Sequence, residues 1–298
     1  MKISAIILTS NEQIHLERCL DSLAGVVTEI LVIDCFSSDS TPDIAIRKGA
    51  RFIQREWINY ATQFNWALSQ INSETNWVLR IDADEIISSA LAKEIKEKIL
   101  TVKEDVDGIY LSRRMVFQSH CIKYGGLFPL KVIRLFRYGR GECENRWMDE
   151  HIKVKGNTIE FHGEIIDHNL NSLTWWTDKH NKYASREAVD LLNLEFKFMN
   201  HDSVANLSDW KQPGLKRWIK ENIYARLPSS LRSLLYFSYR YFFRFGFLDG
   251  QSGATFHFLQ GFWYRFLVDA KISEVKRFSR EKNVNIKIAI AKVLGINV

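Results

Sequence analysis

The sequence predicts an α/β protein, a doubly wound and mostly parallel sheet followed by a helical, basic and aromatic extension. Three observations carry that reading. Short apolar runs alternate with amphipathic segments over the first hundred residues, the alternation keeps the order βαβαβαβα, and beyond about residue 210 the composition turns basic and aromatic. The 298 residues are 46% hydrophobic and 26% charged, a globular composition that excludes disorder as the main state.

Residues 3–9 (ISAIILT) form a continuous apolar run, and 29–34 (EILVID) and 77–81 (WVLRI) share its character. Strands apolar on both faces suit a parallel sheet covered by helices. Leu16, Leu20 and Leu23 recur at helical spacing, and Thr41-Pro42 reads as an N-cap with proline at the first helical position, ended by Gly49. Segments 59–70 and 89–100 supply two further helices. After about residue 105 the pattern changes: 107–117 and 131–137 read as strands, 138–149 as a polar loop and 172–198 as a long amphipathic helix. Composition marks 201–214 as the linker, so the domains expected are 1–200, with a nucleotide half (1–105) and an acceptor half (106–200), and 201–298.

Net charge is +6, but residues 211–292 carry 16 Lys and Arg against 5 Asp and Glu, leaving the rest of the chain acidic. A basic tail beside an acidic body points to an anionic partner for the tail. Between Tyr236 and Phe266 fourteen aromatics are interrupted by arginines. Aromatic side chains entering a lipid headgroup boundary beside arginines would dock such a segment on an anionic membrane. A helical bundle packed on the catalytic domain is the alternative reading, and no nucleic-acid signature is present. No stretch reaches 18 apolar residues without a charge, so no spanning helix is expected. Four cysteines lack CxxC spacing and the N-terminus lacks a signal peptide's apolar core, so the expected location is cytoplasmic, peripheral on the inner face of the cytoplasmic membrane.

In an open parallel sheet, ligands bind beyond the carboxyl ends of the strands. The residues following the predicted strands are Thr9-Ser10-Asn11-Glu12, Asp34 to Thr41, and Asp82-Ala83-Asp84-Glu85. Neither a dinucleotide glycine motif nor a P-loop occurs. Three carboxylates at one strand end repel unless compensated, which suggests Mg²⁺ or Mn²⁺ holding a nucleotide.

As a set, IILTSNE (6–12), VIDCFSSDST (32–41) and WVLRIDADE (77–85) resemble the family 2 glycosyltransferases of the GT-A fold. Segments 134–152 and 177–188 look like the subgroup that builds lipopolysaccharide core. The resemblance implies a nucleotide-sugar donor and a glycan or glycolipid acceptor. It implies that Thr9, Asn11, Glu12, Asp34 and Asp39 line the nucleoside pocket, with Asp34 accepting from the base imide, that Asp82 faces ribose and metal, and that Asp84 binds the divalent cation. Phe64 stands where family members often carry Lys or Arg, and Arg55 or Arg80 is the candidate replacement at the diphosphate. Inverting transfer needs a base on the acceptor hydroxyl, and Glu150 is the candidate, with Asp149 as second. His168 is a further candidate for the metal shell. Arg113, Arg134, Arg146 and Trp147 are candidates for the acceptor pocket, since guanidinium groups pair with anions and an aromatic face stacks on sugar. The competing readings are a polyprenyl-phosphate sugar synthase, a glycoside hydrolase and a non-catalytic membrane scaffold.

Overall fold

The computed structural model describes residues 1–144, 151–198 and 229–298, which fall into two compact units divided between Leu170 and Asn171. The first unit opens with β1 (Ile3–Thr9), α1 (Leu16–Leu23), β2 (Glu29–Asp34), α2 (Thr41–Arg47), β3 (Arg51–Gln54), α3 (Tyr60–Leu68) and β4 (Trp77–Arg80). It continues with β5 (Glu85–Ile87), α4 (Ser89–Lys98), β6 (Val106–Phe117), β7 (His120–Cys121), β8 (Leu130–Arg137), β9 (Gly141–Cys143), β10 (Ile152–Val154) and β11 (Asn157–His168).

The apolar strands are buried on both faces. Along β1, Ile3, Ala5 and Ile7 enter a core with Leu16, Leu20 and Leu23 of α1 and Leu91 and Ile95 of α4. The alternate residue Ile6 enters a second core with Ala61, Phe64 and Ala67 of α3. A period of two therefore feeds two helical layers, as a doubly wound sheet requires. Phe64 is fully buried and stacked on Tyr60, so core packing fills this position in place of a cation.

The sheet order is β3-β2-β1-β4-β8-β6-β11-β5, with β7 paired to β6. The first four strands are parallel; β8 then enters antiparallel between β4 and β6, and β5 closes the far edge antiparallel to β11. Arg80 and Glu85 end and begin β4 and β5, yet β8, β6 and β11 lie between those strands. A flat sheet would separate β4 from β5 by about 19 Å, slightly more than roughly 18 Å of extended chain reaches, so the sheet curls and the Asp82–Glu85 segment bridges its mouth. The segment read as a polar loop from 138 contains β9, which pairs with β10 and is pinned to α3 by two hydrogen bonds between the Asn65 side chain and the Cys143 backbone, both 2.8 Å.

The second unit holds α5 (Leu173–Phe196), α6 (Ser229–Ser238), a wide turn at Tyr239–Phe243, a tight turn at Gly246–Asp249, α7 (Gly250–Phe256), a second wide turn at His257–Trp263, α8 (Tyr264–Glu281) and α9 (Ile286–Leu294). Val189 and Leu192 of α5 share a core with Val275 of α8 and Ala289 and Ile290 of α9. The long amphipathic helix thus packs with the C-terminal helices, and the division precedes it; the expected linker 201–214 lies outside the described residues. Among the described residues, no helix is long and apolar enough to cross a membrane.

Candidate active site

The carboxyl ends of β1, β2 and β4 form one edge, and the loops there hold one another. Thr9 Oγ1 donates to Asp34 Oδ1 at 2.9 Å. Asp34 is fully buried and also accepts from the Ser37 backbone N–H, the Ser37 hydroxyl and Gln54 Nε2. Those four bonds occupy its lone pairs, so in this conformation Asp34 organises the loop instead of presenting a free acceptor to a base imide. Asn11 adopts a left-handed φ of 56° and its Oδ1 accepts from the Ser38 N–H at 2.9 Å. Asp39 accepts from the backbone N–H groups of Gln13 and Thr41; burial opposes its ionisation, but the Thr41 and Gln13 bonds hold it below the usual carboxylate range.

Glu12 is held by a residue that sequence reading passed over. His15, 1% exposed, places Nδ1 2.6 Å from Glu12 Oε2, while its Nε2 accepts from the Leu170 N–H at 2.9 Å. Accepting at Nε2 puts the proton on Nδ1, so His15 donates to Glu12. The same segment is bound elsewhere to this edge. His168 N–H donates to the Asp84 carbonyl at 3.0 Å, Asn169 Nδ2 donates to Asp84 Oδ2 at 3.0 Å, and Arg18 donates to the His168 carbonyl. His168 thus reaches Asp84 through its backbone; burial, with Arg18 and His15 nearby, lowers the imidazole pKa.

The acidic segment divides sharply. Asp82 Oδ1 accepts from Tyr60 Oη and its Oδ2 from Arg134 Nη2, both at 2.9 Å. Arg134 also donates to the fully buried Glu85 Oε1 at 2.6 Å, and Arg113 lies 3.0 Å from that oxygen while donating to Asp167 at 2.5 Å. Burial opposes ionisation of Asp82, but Arg134, Arg80 and Arg113 outweigh it and hold its carboxyl well below the ordinary range. Burial wins at the other two: Glu85 is pushed up to about 7 and Asp167 to about 6, despite Arg134 and Arg113 respectively. Arg113 and Arg134, candidates for the acceptor pocket, are engaged here with these carboxylates. They project from β6 and β8 into the curled mouth and compensate Asp82, Glu85 and Asp167. Arginines thus relieve the charge repulsion among Asp82, Glu85 and Asp167.

Asp84 stands apart. Among the described residues, its side chain accepts a hydrogen bond only from Asn169. The candidate diphosphate cations are both engaged with aromatic rings: Arg55 lies 4.6 Å from the Trp66 ring centroid, and the buried Arg80 lies 4.3 Å from that of Tyr60 and donates to its hydroxyl at 2.8 Å. Glu150, Asp149, Arg146 and Trp147 lie outside the described residues.

The model of glycosyl transferase family 2 matches residues 4–121, which contain this entire strand-end edge. The chain is 30% identical over 219 residues to an uncharacterized glycosyltransferase of Rickettsia typhi, covering 70% of this chain and 74% of the relative. The chain belongs to glycosyltransferase family 2. This glycosyltransferase has the GT-A architecture, with its helical region C-terminal to the sheet. It is also 27% identical over 202 residues to the lipopolysaccharide core biosynthesis glycosyltransferase LpsC of Rhizobium meliloti, covering 63% of this chain and 71% of LpsC. Among solved structures it is similar to glucosyl-3-phosphoglycerate synthase of Mycobacterium tuberculosis in complex with Mn²⁺, UDP and phosphoglyceric acid, at 26% identity and a TM-score of 0.33. That similarity covers 38% of this chain and 43% of the other, less than half of either.

Proposed function

We propose that this glycosyltransferase moves a hexose from a UDP-linked donor, with inversion and with a divalent cation, to a hydroxyl of a bacterial surface glycan such as lipopolysaccharide core. The observation that carries the reading is the contrast at the end of β4, where Asp82 and Glu85 accept directly from Arg134, whereas the Asp84 carboxylate accepts from Asn169 and has Arg18 beside it as a nearby charge. Similarity to LpsC supports the acceptor class.

The residues fit a Mg²⁺ or Mn²⁺ ion. Among the described residues, no group of three or more His, Cys, Asp or Glu gathers to cage a metal. Such ions on nucleotides need only one or two protein carboxylates, with phosphate oxygens and water completing the shell. Asp84 would supply that ligand, and Asp82, fixed by Tyr60 and Arg134, would face the ribose and support it. When bound, the ion neutralises charge developing on the departing diphosphate.

The remaining work belongs to this chain's residues. Thr9, Asn11, Glu12 and Asp39 line the nucleoside pocket, and Asp34 keeps its floor in register. Arg80 or Arg55 accompanies the diphosphate. Glu150, with Asp149 as second candidate, takes the proton from the acceptor hydroxyl as its oxygen attacks the anomeric carbon opposite the breaking bond to the diphosphate. Arg146 and Trp147 are the acceptor contacts. Residues 211–298 rest on the anionic inner face of the cytoplasmic membrane, near a lipid-linked acceptor.

Thermal unfolding with a panel of nucleotide sugars, with and without Mn²⁺, tests donor binding, because a ligand selective for the native state raises the midpoint. A midpoint rise confined to UDP-sugars with Mn²⁺, lost in Asp84→Asn, is expected; indifference to every nucleotide sugar overturns the reading. Glu150→Gln is expected to abolish transfer to a hydroxyl acceptor. If it spares transfer to a polyprenyl phosphate, the acceptor is instead a lipid phosphate, which needs no strong base.

A further inference from the structure

The second unit contains a hairpin whose interior is polar and whose tip is apolar. Arg240, 2% exposed at the first wide turn, donates to Gln260 Oε1 at 2.7 Å and to His257 Nδ1 at 3.1 Å. A guanidinium has no acceptor, so His257 Nδ1 accepts and the imidazole proton sits on Nε2, 3.6 Å from Asp249 Oδ2. Burial and the Arg240 charge press His257 down to about 4, so the ring stays neutral. Two glycines let these groups meet. A Cβ at Gly246 would lie 2.7 Å from the His257 ring, and one at Gly253 would lie 2.2 Å from the Asp249 Cβ.

This clasp turns the polar groups inward and the rings outward. Phe242, Phe243, Phe245, Phe247 and Leu248 are between 43% and 74% exposed, although they are among the most apolar side chains available. Phe245 holds a left-handed φ of 60°, a conformation that a bulky residue adopts only when its surroundings impose it. In the span from 229 to 266 the one carboxylate, Asp249, is buried inside the clasp, whereas Arg244 is exposed amid the phenylalanines.

We infer that residues 242–248 are a rigid wedge that enters the interface of an anionic lipid bilayer, with the phenylalanines among the acyl chains and Arg244 at the headgroup phosphates. The inference rests on the proposed membrane association and names its point of contact. The argument for lipid is geometric and electrostatic. Five apolar side chains displayed around a turn offer no groove for a partner's helix or strand, but a fluid hydrocarbon layer conforms to such a shape. The only exposed charge among them is positive, which complements a phosphate layer.

The test is flotation of the full-length chain with vesicles of phosphatidylcholine alone or mixed with phosphatidylglycerol. Phe242→Ser/Phe243→Ser/Phe247→Ser is expected to lower the bound fraction at least tenfold on mixed vesicles. Arg244→Glu is expected to lower binding on mixed vesicles while leaving any binding to phosphatidylcholine unchanged. Leu194→Ser, at an exposed apolar position on α5, controls for general surface stickiness and is expected to bind as wild type. Unchanged thermal midpoints establish that the variants fold. Wild-type binding that survives the triple substitution, or no wild-type binding to mixed vesicles, overturns the inference. So does a dimer in light scattering that the triple substitution dissociates, since the tip would then meet a second copy. Donor turnover measured on a soluble acceptor separates this result from the proposed reaction. The triple variant is expected to retain it, and a wild type that binds vesicles but turns over no donor would sink the reaction and spare the wedge.

Discussion

The strand-end edge of the first unit and the aromatic hairpin of the second solve opposite problems. At the strand ends, carboxylates crowd together and are neutralised from within, by arginines that arrive from β6 and β8. In the hairpin, the polar groups are equally well gathered around Arg240, but five large apolar side chains are left in solvent. Among the described residues, the Asp84 carboxylate of the first region accepts from no arginine, although Arg18 lies near it, and the second region retains an exposed apolar surface. What each leaves exposed is the basis of the partner proposed for it: a cation and phosphates in one case, and an apolar layer in the other. Saturated groups such as Asp34 and Glu85 then read as framework, and the unsaturated ones as contact.

The contrast between Asp84 and its neighbours is the sharpest place to break this account. Asp84→Asn is expected to lower the transfer rate roughly a hundredfold, about 3 kcal/mol of barrier, and to shift the unfolding midpoint little, because an amide oxygen still accepts from Asn169. An equal loss of stability and activity would make Asp84 framework after all. Arg134→Met should do the reverse. It removes the cation that Asp82 and Glu85 share, and losing one partner of a buried ion pair costs about 3–5 kcal/mol, readable as a lower urea midpoint. A midpoint unchanged by that substitution would show that the cluster is not held by arginine.

The raised acids give a pH signature. The folded pKa of Glu85 lies above its ordinary 4.5, at about 7, so the stability linked to its proton is present in acid and is lost as pH rises between those values. Asp167 acts in the same sense between 3.8 and about 6. Asp82 has the opposite sign, favouring the fold above its ordinary pKa of 3.8 and losing that contribution as pH falls. Glu85→Gln is therefore expected to flatten the unfolding midpoint between about pH 4.5 and 7, and a slope identical to wild type would refute the assignment. The smallest effect is expected at His15. His15→Leu leaves Glu12 and the Leu170 N–H without their bridge and should raise the donor KM about tenfold with kcat nearly constant, since a bond to a charged group is worth about 1.5–3 kcal/mol. His15→Asn, which can still donate toward Glu12, should recover part of it; a fall in kcat alone would place His15 nearer the chemistry.

Much of this site was legible in one dimension because burial writes a local pattern. The apolar runs at 3–9, 29–34 and 77–81 place three loops at one sheet edge, and those loops carry Thr9, Asn11, Glu12, Asp34, Asp39, Asp82 and Asp84. The short strands β3, β5, β9 and β10 left too few residues for a period to show. His15 carried no signal, because its two partners, Glu12 and the backbone of Leu170, include one that is 155 residues away. A histidine inside an apolar stripe looks the same whether or not it bridges two loops.

The amino-acid order by itself determined the layered sheet, the edge that carries the candidate site, the acidic segment and the basic aromatic character of the C-terminal region, since each follows from neighbours within a few residues. Only the tertiary structure decided which acids accept directly from arginine, and which rings face outward. Those outcomes depend on pairings between β4, β5, β6, β8 and β11 and between Arg240, His257 and Asp249. Charge compensation and burial are set by whatever the fold brings within a few ångströms, and sequence distance does not record that.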